Sequence, residues 1–177
     1  YYNRGLANEI LGDVSRAMKD YNRSVEMNPN YAPAYNNRGL VFAGSGDYKR
    51  AVENYSKALE IRPDYPKALI NRSQAFQALG KWPPALQDIN RAVSLAPYRA
   101  ETYYNRAMLL LRTGNPGAAL PDLNRVIGFR PGFTPAYYNR GLILQLSGKE
   151  KQAVKDFETV NRLDPRFIPV YPRLIEY

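Results

Sequence analysis

Apolar positions along this chain recur at helical steps, in short stripes broken by glycine and proline. Residues 33–45, PAYNNRGLVFAGS, place Tyr35, Gly39 and Phe42 along one face at three- and four-residue intervals, after a proline that the first turn of a helix tolerates. The stretch meets Gly46-Asp47, a helix stop followed by an N-cap-like residue. Residues 48–61, YKRAVENYSKALEI, then set Ala51, Val52, Tyr55, Ala58 and Leu59 on a second stripe that ends before Arg62-Pro63. The pattern predicts a helical hairpin. Small residues stand where its helices are expected to cross, Gly39 with Ala51 and Gly141 with Ala153, so that the backbones can approach closely.

The hairpin is repeated. Asn3, Asn37, Asn71, Asn105 and Asn139 lie 34 residues apart without an insertion, and the same spacing holds for Gly12, Gly46, Gly80, Gly114 and Gly148. It holds again for Ala17, Ala51, Ala85, Ala119 and Ala153, and for Pro29, Pro63, Pro97, Pro131 and Pro165. A fixed period of this length is the signature of a solenoid, in which each unit is one supersecondary element stacked on its neighbours. The expected division is 1–31, 32–65, 66–99, 100–133 and 134–167, with an irregular or capping segment over 166–177 that begins like a sixth unit but carries Pro169 and Pro172.

Tyr35, Gly39, Phe42, Gly46, Ala51, Tyr55, Ala58 and Pro63 resemble the consensus of the tetratricopeptide repeat, and the match recurs five times over residues 1–165. The resemblance implies an all-α fold, a right-handed superhelical solenoid of antiparallel hairpins. Departures are local. Leu69 replaces the first aromatic of the third unit, Ser73 replaces its glycine, the first unit has Asn8 and Ser24 where an aromatic and an alanine are usual, and Pro121 sits in the second helix of the fourth unit. A proline there removes an intrahelical donor, so a kink or a late helix start is expected.

One recurring residue is unlike the consensus: Arg4, Arg38, Arg72, Arg106 and Arg140 stand where the family usually has an apolar side chain. A lone buried guanidinium is costly, so each needs a partner. Sixteen residues later come Asp20, Asn54, Asp88, Asp122 and Asp156, on the second helix of the same hairpin. The pairs are read as structural, fixing the register of each hairpin. The alternative is a row of solvent-facing, anion-binding arginines.

The asparagines next to these arginines point about 100° away on a helix, so they serve another face. By resemblance, Asn3, Asn37, Asn71, Asn105 and Asn139 line the concave groove formed by the first helices, where family members hold the main chain of a peptide. An amide both donates and accepts, which suits that task. Tyr2, Tyr104 and Tyr138, with Leu6, Leu40, Gln74, Met108 and Leu142, would add an aromatic and apolar floor. The competing reading is that the asparagines bond only between adjacent repeats. The family's lysine-and-asparagine clamp for chaperone tails is absent, because the matching places hold Tyr2, Asn36, Ile70, Tyr104 and Tyr138, then the Leu6 row.

A further row, Arg23, Lys57, Arg91 and Arg125, runs along the second helices, with Glu26 and Glu60 placed to neutralise its first two members. It reads either as a solvated convex face or as a surface for acidic protein or nucleic acid. The net charge of +9 favours acidic partners without choosing among them. Neither histidine nor cysteine occurs, which removes the commonest bases, nucleophiles and soft metal ligands. No cofactor, metal or small-molecule substrate is expected. No run of 18 apolar residues is present, and a soluble, intracellular chain is expected. The sequence starts inside a repeat, which fits a piece of a larger chain or complex.

Two function classes follow. The first is a non-enzymatic interaction scaffold or assembly factor whose groove takes up an extended or helical segment of a partner protein. The second is the substrate-recruiting arm of a larger enzyme. A nucleic-acid or acidic-protein binder working through the basic convex face ranks third.

Overall fold

The computed structural model describes residues 1–167 and is helical throughout the ordered elements of that span. In chain order the helices are α1 (Tyr2–Ile10), α2 (Val14–Met27), α3 (Ala32–Gly44), α4 (Tyr48–Ile61), α5 (Pro66–Ala78), α6 (Trp82–Leu95), α7 (Ala100–Arg112), α8 (Pro116–Phe129), α9 (Thr134–Leu146) and α10 (Glu150–Leu163). They pack as consecutive pairs, α1 on α2 through α9 on α10. The chain divides into two compact units, Tyr1–Leu95 with α1 to α6 and a second from Ala96 onward with α7 to α10. Within the first, α2 packs on α3, α4 on α5, and α3 also touches α5; within the second, α8 packs on α9.

Each pair is closed by the same turn. Gly12, Gly46, Gly80, Gly114 and Gly148 have φ between +69° and +80°, a region that costs any residue with a Cβ. The residue after each glycine donates its N–H back to the helix just ended: Asp13 to Asn8 O at 2.8 Å, Asp47 to Phe42 O at 2.9 Å, Lys149 to Leu144 O at 2.9 Å. This is the Schellman closure, which satisfies carbonyls that a helix end leaves open. Asp13 and Asp47 then cap α2 and α4 by accepting from Arg16 N and Arg50 N.

Inside the hairpins the second helices contribute a stripe of alanine and larger residues. Ala17, Tyr21, Ala51, Tyr55, Ala58, Ala85, Ile89, Ala119 and Leu123 are buried almost completely. The glycine and alanine positions do come together, as Ser73 shows in the third hairpin by donating to Ala85 O at 2.8 Å, and a second-helix ring packs closer still. The atoms nearest to a Cβ built on Gly39 belong to the Tyr55 ring, at 2.6 Å, and Gly5 and Gly141 face Tyr21 and Phe157 at 2.7 Å. The aromatic ring occupies the volume that a side chain at the glycine would need. Where the glycine is replaced, the facing residue is smaller: Ser73 belongs to the hairpin of Ile89, and Ala107 to that of Leu123.

Pro121 lies inside α8, which starts at Pro116 like the other second helices start after their turns. A late start therefore does not occur. The first turns of the helix are formed despite the lost donor, with Ala119 and Leu123 fully buried on its inner face. The tail expected to cap the array or to open a sixth unit lies, from residue 168 on, outside the described residues.

Candidate functional site

The recurring arginine reaches further than its own hairpin. Arg72 donates from Nε and Nη2 to the two carboxylate oxygens of Asp88, and from Nη1 to Ser56 Oγ on α4, the second helix of the preceding pair. Arg38 donates to Asn54 at 2.7 Å and to Asn22 of α2 at 3.1 Å. Arg140 donates to both oxygens of Asp156 and to Asn124 of α8. Arg4 reaches Asp20, which Asn8 also donates to. Arg106 holds Asp122 at 2.6 and 2.7 Å. Each guanidinium also lies over an aromatic ring on its own helix: Arg38 over Tyr35 at 5.3 Å, Arg106 over Tyr103 at 5.8 Å, Arg140 over Tyr137 at 5.6 Å. In the third pair, where Leu69 replaces that aromatic, Arg72 lies over Phe76 instead.

Charge follows the partner. A carboxylate hydrogen bond raises the Arg106 and Arg140 guanidinium pKa. Arg38 donates to two amides and to no carboxylate, and burial lowers its pKa. Arg72, Arg106 and Arg140 are 22–24% exposed, whereas Arg4 at the start of the array is 67% exposed.

On the other face of the first helices, polar side chains form a connected row. Asn71 of α5 donates to Asn36 of α3 at 3.0 Å, Asn36 donates to Asn37 at 3.0 Å, and Asn37 donates to Tyr2 of α1 at 3.3 Å. Asn37 also meets the hydroxyl of Tyr21 at 3.5 Å, and Tyr21 donates to Glu9 at 2.6 Å. Burial raises the pKa of the Tyr2 and Tyr21 phenols, with the Glu9 bond adding to the rise at Tyr21. In the second unit, Asn139 of α9 donates to Tyr104 of α7 at 3.4 Å and to its own helix at Pro135 O. Tyr104 stands edge-on to Phe133, and Tyr138 packs against Phe167, as Tyr2 does against Tyr31.

The expected ladder is thus divided. Asn37 and Asn139 are buried and bonded between helices, and Asn71 is half-buried and bonded through one donor. Asn3 is exposed and Asn105 half-buried, and neither side chain makes a hydrogen bond among the described residues. One helical turn from this row, at steps of three and four, come Leu6, Leu40 and Gln74 in the first unit and Met108 and Leu142 in the second. Leu40 is 38% exposed, Gln74 is exposed, and the other three are half-buried.

Of the basic row, Arg23 pairs with Glu26 at 3.0 Å and Lys57 with Glu60 at 2.9 Å. Arg91 and Arg125 are exposed and form no ion pair among the described residues. No group of three or more metal-binding side chains is found there either, and no described helix is long and apolar enough to cross a membrane.

Asn22, Ser56, Asn124 and Asn36 are the contributors that the sequence pattern did not single out. The first three carry a signal in hindsight, a short polar residue placed sixteen positions before the arginine. Asn36 takes the place of a tyrosine in the first, fourth and fifth units and had no such signal.

Family models described as tetratricopeptide repeat match residues 1–31, 32–65, 70–132 and 134–167. The chain belongs to the tetratricopeptide-repeat family. No curated protein matches it. Among solved structures, that of MamA superposes with a TM-score of 0.85 at 22% identity, covering 94% of this chain and 97% of its own. A MamA from Desulfovibrio magneticus RS-1 gives 0.83 at 20% identity, with 92% of each chain covered. YrrB, described as a tetratricopeptide-repeat protein with an unusual peptide-binding site, gives 0.79 at 23% identity, covering 94% of this chain and 86% of its own. At these identities the likeness is one of fold.

Proposed function

We propose that the chain is a non-enzymatic interaction scaffold of five tandem units, divided at 31, 65, 99 and 133, which holds a segment of a partner protein on its first-helix faces. The observation that carries the reading is the row of partly exposed apolar side chains in register with the bonded asparagines. Leu40 keeps 38% of its surface in water although it stands in the middle of a packed array. Exposed apolar positions that repeat with the architecture fit a binding face better than scattered surface leucines do.

Hydrogen-bond accounting assigns the polar work. Both donors of Asn37 and of Asn139 are engaged within the protein. Asn71 keeps one donor and its oxygen, Asn139 keeps its oxygen, and Asn3 and Asn105 keep whole amides. Within each unit, main-chain groups of an extended or helical segment would bond to these, while Leu6 and Leu40 in the first unit, or Met108 and Leu142 in the second, take its apolar side chains. The charge of +9 favours an acidic segment. The peptide-binding description of YrrB supports a role of this kind.

A photo-crosslinking residue at Gln74, and separately at Arg91, tests it in the protein's native source. Capture of one partner segment at Gln74, lost in a Leu40→Asp, Met108→Asp variant that keeps its helical spectrum, supports the reading. Capture at Arg91 alone, unaffected by those substitutions, overturns it in favour of the second-helix face.

A further inference from the structure

We propose that the second unit carries, on a different face of α9 from Asn139, a pocket for a phosphate monoester group, formed by α8, α9 and α10. The pocket has a volume of about 400 Å3 and is lined among others by Asn124, Arg140, Asp156, Lys149, Gln152 and Lys155. Arg140 and Asp156 neutralise each other through two hydrogen bonds at 2.7 and 2.8 Å, and Asn124 takes a third from Arg140. Lys149 and Lys155 are exposed, and neither forms an ion pair among the described residues. The pocket therefore presents two uncompensated positive charges.

The second hairpin shows what this junction looks like without those charges. At the places of Lys149, Gln152 and Lys155 it has Asp47, Arg50 and Glu53, and at the place of Leu144 it has Phe42. There the Arg50 guanidinium lies 5.4 Å from the centre of the Phe42 ring and pairs with Asp47 at 3.6 Å. The arginine lies against the phenylalanine ring, and the flanking charges are acidic. In the second unit a leucine and a glutamine are smaller, and both acids have become lysines, while the arginine beneath them is kept.

Helix capping does not explain Lys149. Asp47 caps α4 by accepting from Arg50 N, whereas Lys149 stands at the N-cap of α10 and makes no side-chain cap bond. Losing such a cap weakens a helix. Lys81 holds the place of Lys149 in the third hairpin and Lys19 that of Lys155 in the first, so what sets the fifth hairpin apart is that both lysines line one pocket.

The chemistry of the ligand follows from number and shape of the charges. A phosphate monoester carries about −1.5 to −2 at pH 7, which two lysines balance. A carboxylate brings one charge in a planar fork suited to arginine, and the only arginine here is already held by Asp156. Two ammonium groups on flexible stems suit a tetrahedral group carried on a small organic body.

The test is a titration of the 15N-labelled chain with O-phosphoserine, serine, inorganic phosphate and a short phosphoserine peptide, followed by amide shifts. O-phosphoserine, and not serine, should give saturable shifts confined to the pocket lining, Leu120, Asn124, Arg140 and residues 144–156. A Lys149→Gln, Lys155→Gln variant should bind it about tenfold or more weakly. Equal binding of inorganic phosphate identifies a free small phosphate as the source, and tighter binding of the peptide identifies a phosphorylated partner; either supports the pocket. A second variant, Lys149→Asp with Lys155→Glu, introduces the two acids of the second hairpin and should abolish binding while keeping or raising the unfolding midpoint. Shifts spread equally over Arg23, Arg91 and Arg125, or an unchanged affinity in both variants, overturn the proposal. Failure here leaves the first-helix face untouched, because none of its residues takes part.

Discussion

Arg72 meets Asp88 through two parallel hydrogen bonds, Nε to Oδ2 at 2.7 Å and Nη2 to Oδ1 at 2.8 Å, while its third arm reaches Ser56 at 3.0 Å. One side chain thereby ties three helices, α4, α5 and α6. Asp88 is 7% exposed and Arg72 22%, so the acid is the member that cannot find water when the pair is broken.

Arg72→Met is expected to destabilise the fold by about 3 kcal/mol, chiefly by leaving Asp88 buried without its counter-charge. Arg72→Met with Asp88→Leu should recover most of that loss, because removing both charges removes the desolvation penalty as well. Urea unfolding of the two single variants and the double variant measures the coupling. If Arg72→Met leaves the midpoint unchanged, the guanidinium is not a structural tie.

Gly39→Ala places a methyl group 2.6 Å from the Tyr55 ring, closer than carbon atoms can sit. The expected cost is about 2 kcal/mol, typical of overpacking in a filled core. Tyr55→Leu should recover part of it in the Gly39→Ala background, since the chain already combines Ala107 with Leu123 in its fourth hairpin. Thermal melts followed by circular dichroism would show the rescue, and equal losses in both backgrounds would mean that the ring does not limit the approach.

The period of 34 residues and the glycine-ended stripes made the helices legible in the sequence, because each repeat samples the same backbone pattern and the copies reinforce one another. Residues 33–45 and 48–61 read directly as what became α3 and α4. The period is blind to neighbours in space. It shows that Gly39 and Ala51 recur, and gives no sign that the Tyr55 ring fills the space beside the glycine. It marks the arginine and the carboxylate sixteen residues later, and it also repeats a short polar residue at Asn22, Ser56 and Asn124, without telling that this residue of the preceding hairpin is the arginine's further partner. The site was legible only as a row of positions. Which asparagine donors are engaged depends on hydroxyls of Tyr2, Tyr21 and Tyr104 that come within reach only after the helices pack.

Thr102 is fully buried, and its hydroxyl has no hydrogen-bond partner. Ala34, Ala68 and Ala136 fill the same place in the other hairpins and are buried as completely. Thr102→Val keeps the shape and removes the unsatisfied group, so it should raise stability by about 1 kcal/mol. A urea midpoint that falls in this variant would show that the hydroxyl is satisfied in solution.

Alkaline pH should unfold the protein through its tyrosines. Burial raises the pKa of Tyr2, Tyr21, Tyr55 and Tyr65 above the ordinary phenol value of about 10. The folded chain therefore holds these protons after the unfolded chain has begun to lose them. Stability from a raised pKa is fully present below the unfolded value, and it declines once pH exceeds about 10 and continues to fall toward the folded value. The urea midpoint should hold between pH 7 and 9 and drop by pH 11, while the absorbance of phenolate lags behind that of the unfolded chain. Lys57, whose bond to Glu60 also raises its pKa, loses its charge in the same direction, so a control is needed. Tyr21→Phe with Tyr55→Phe supplies it: the variant should lose less stability than the parent between pH 9 and 11. An equal loss in both would take the alkaline transition away from Tyr21 and Tyr55 and assign it to other groups.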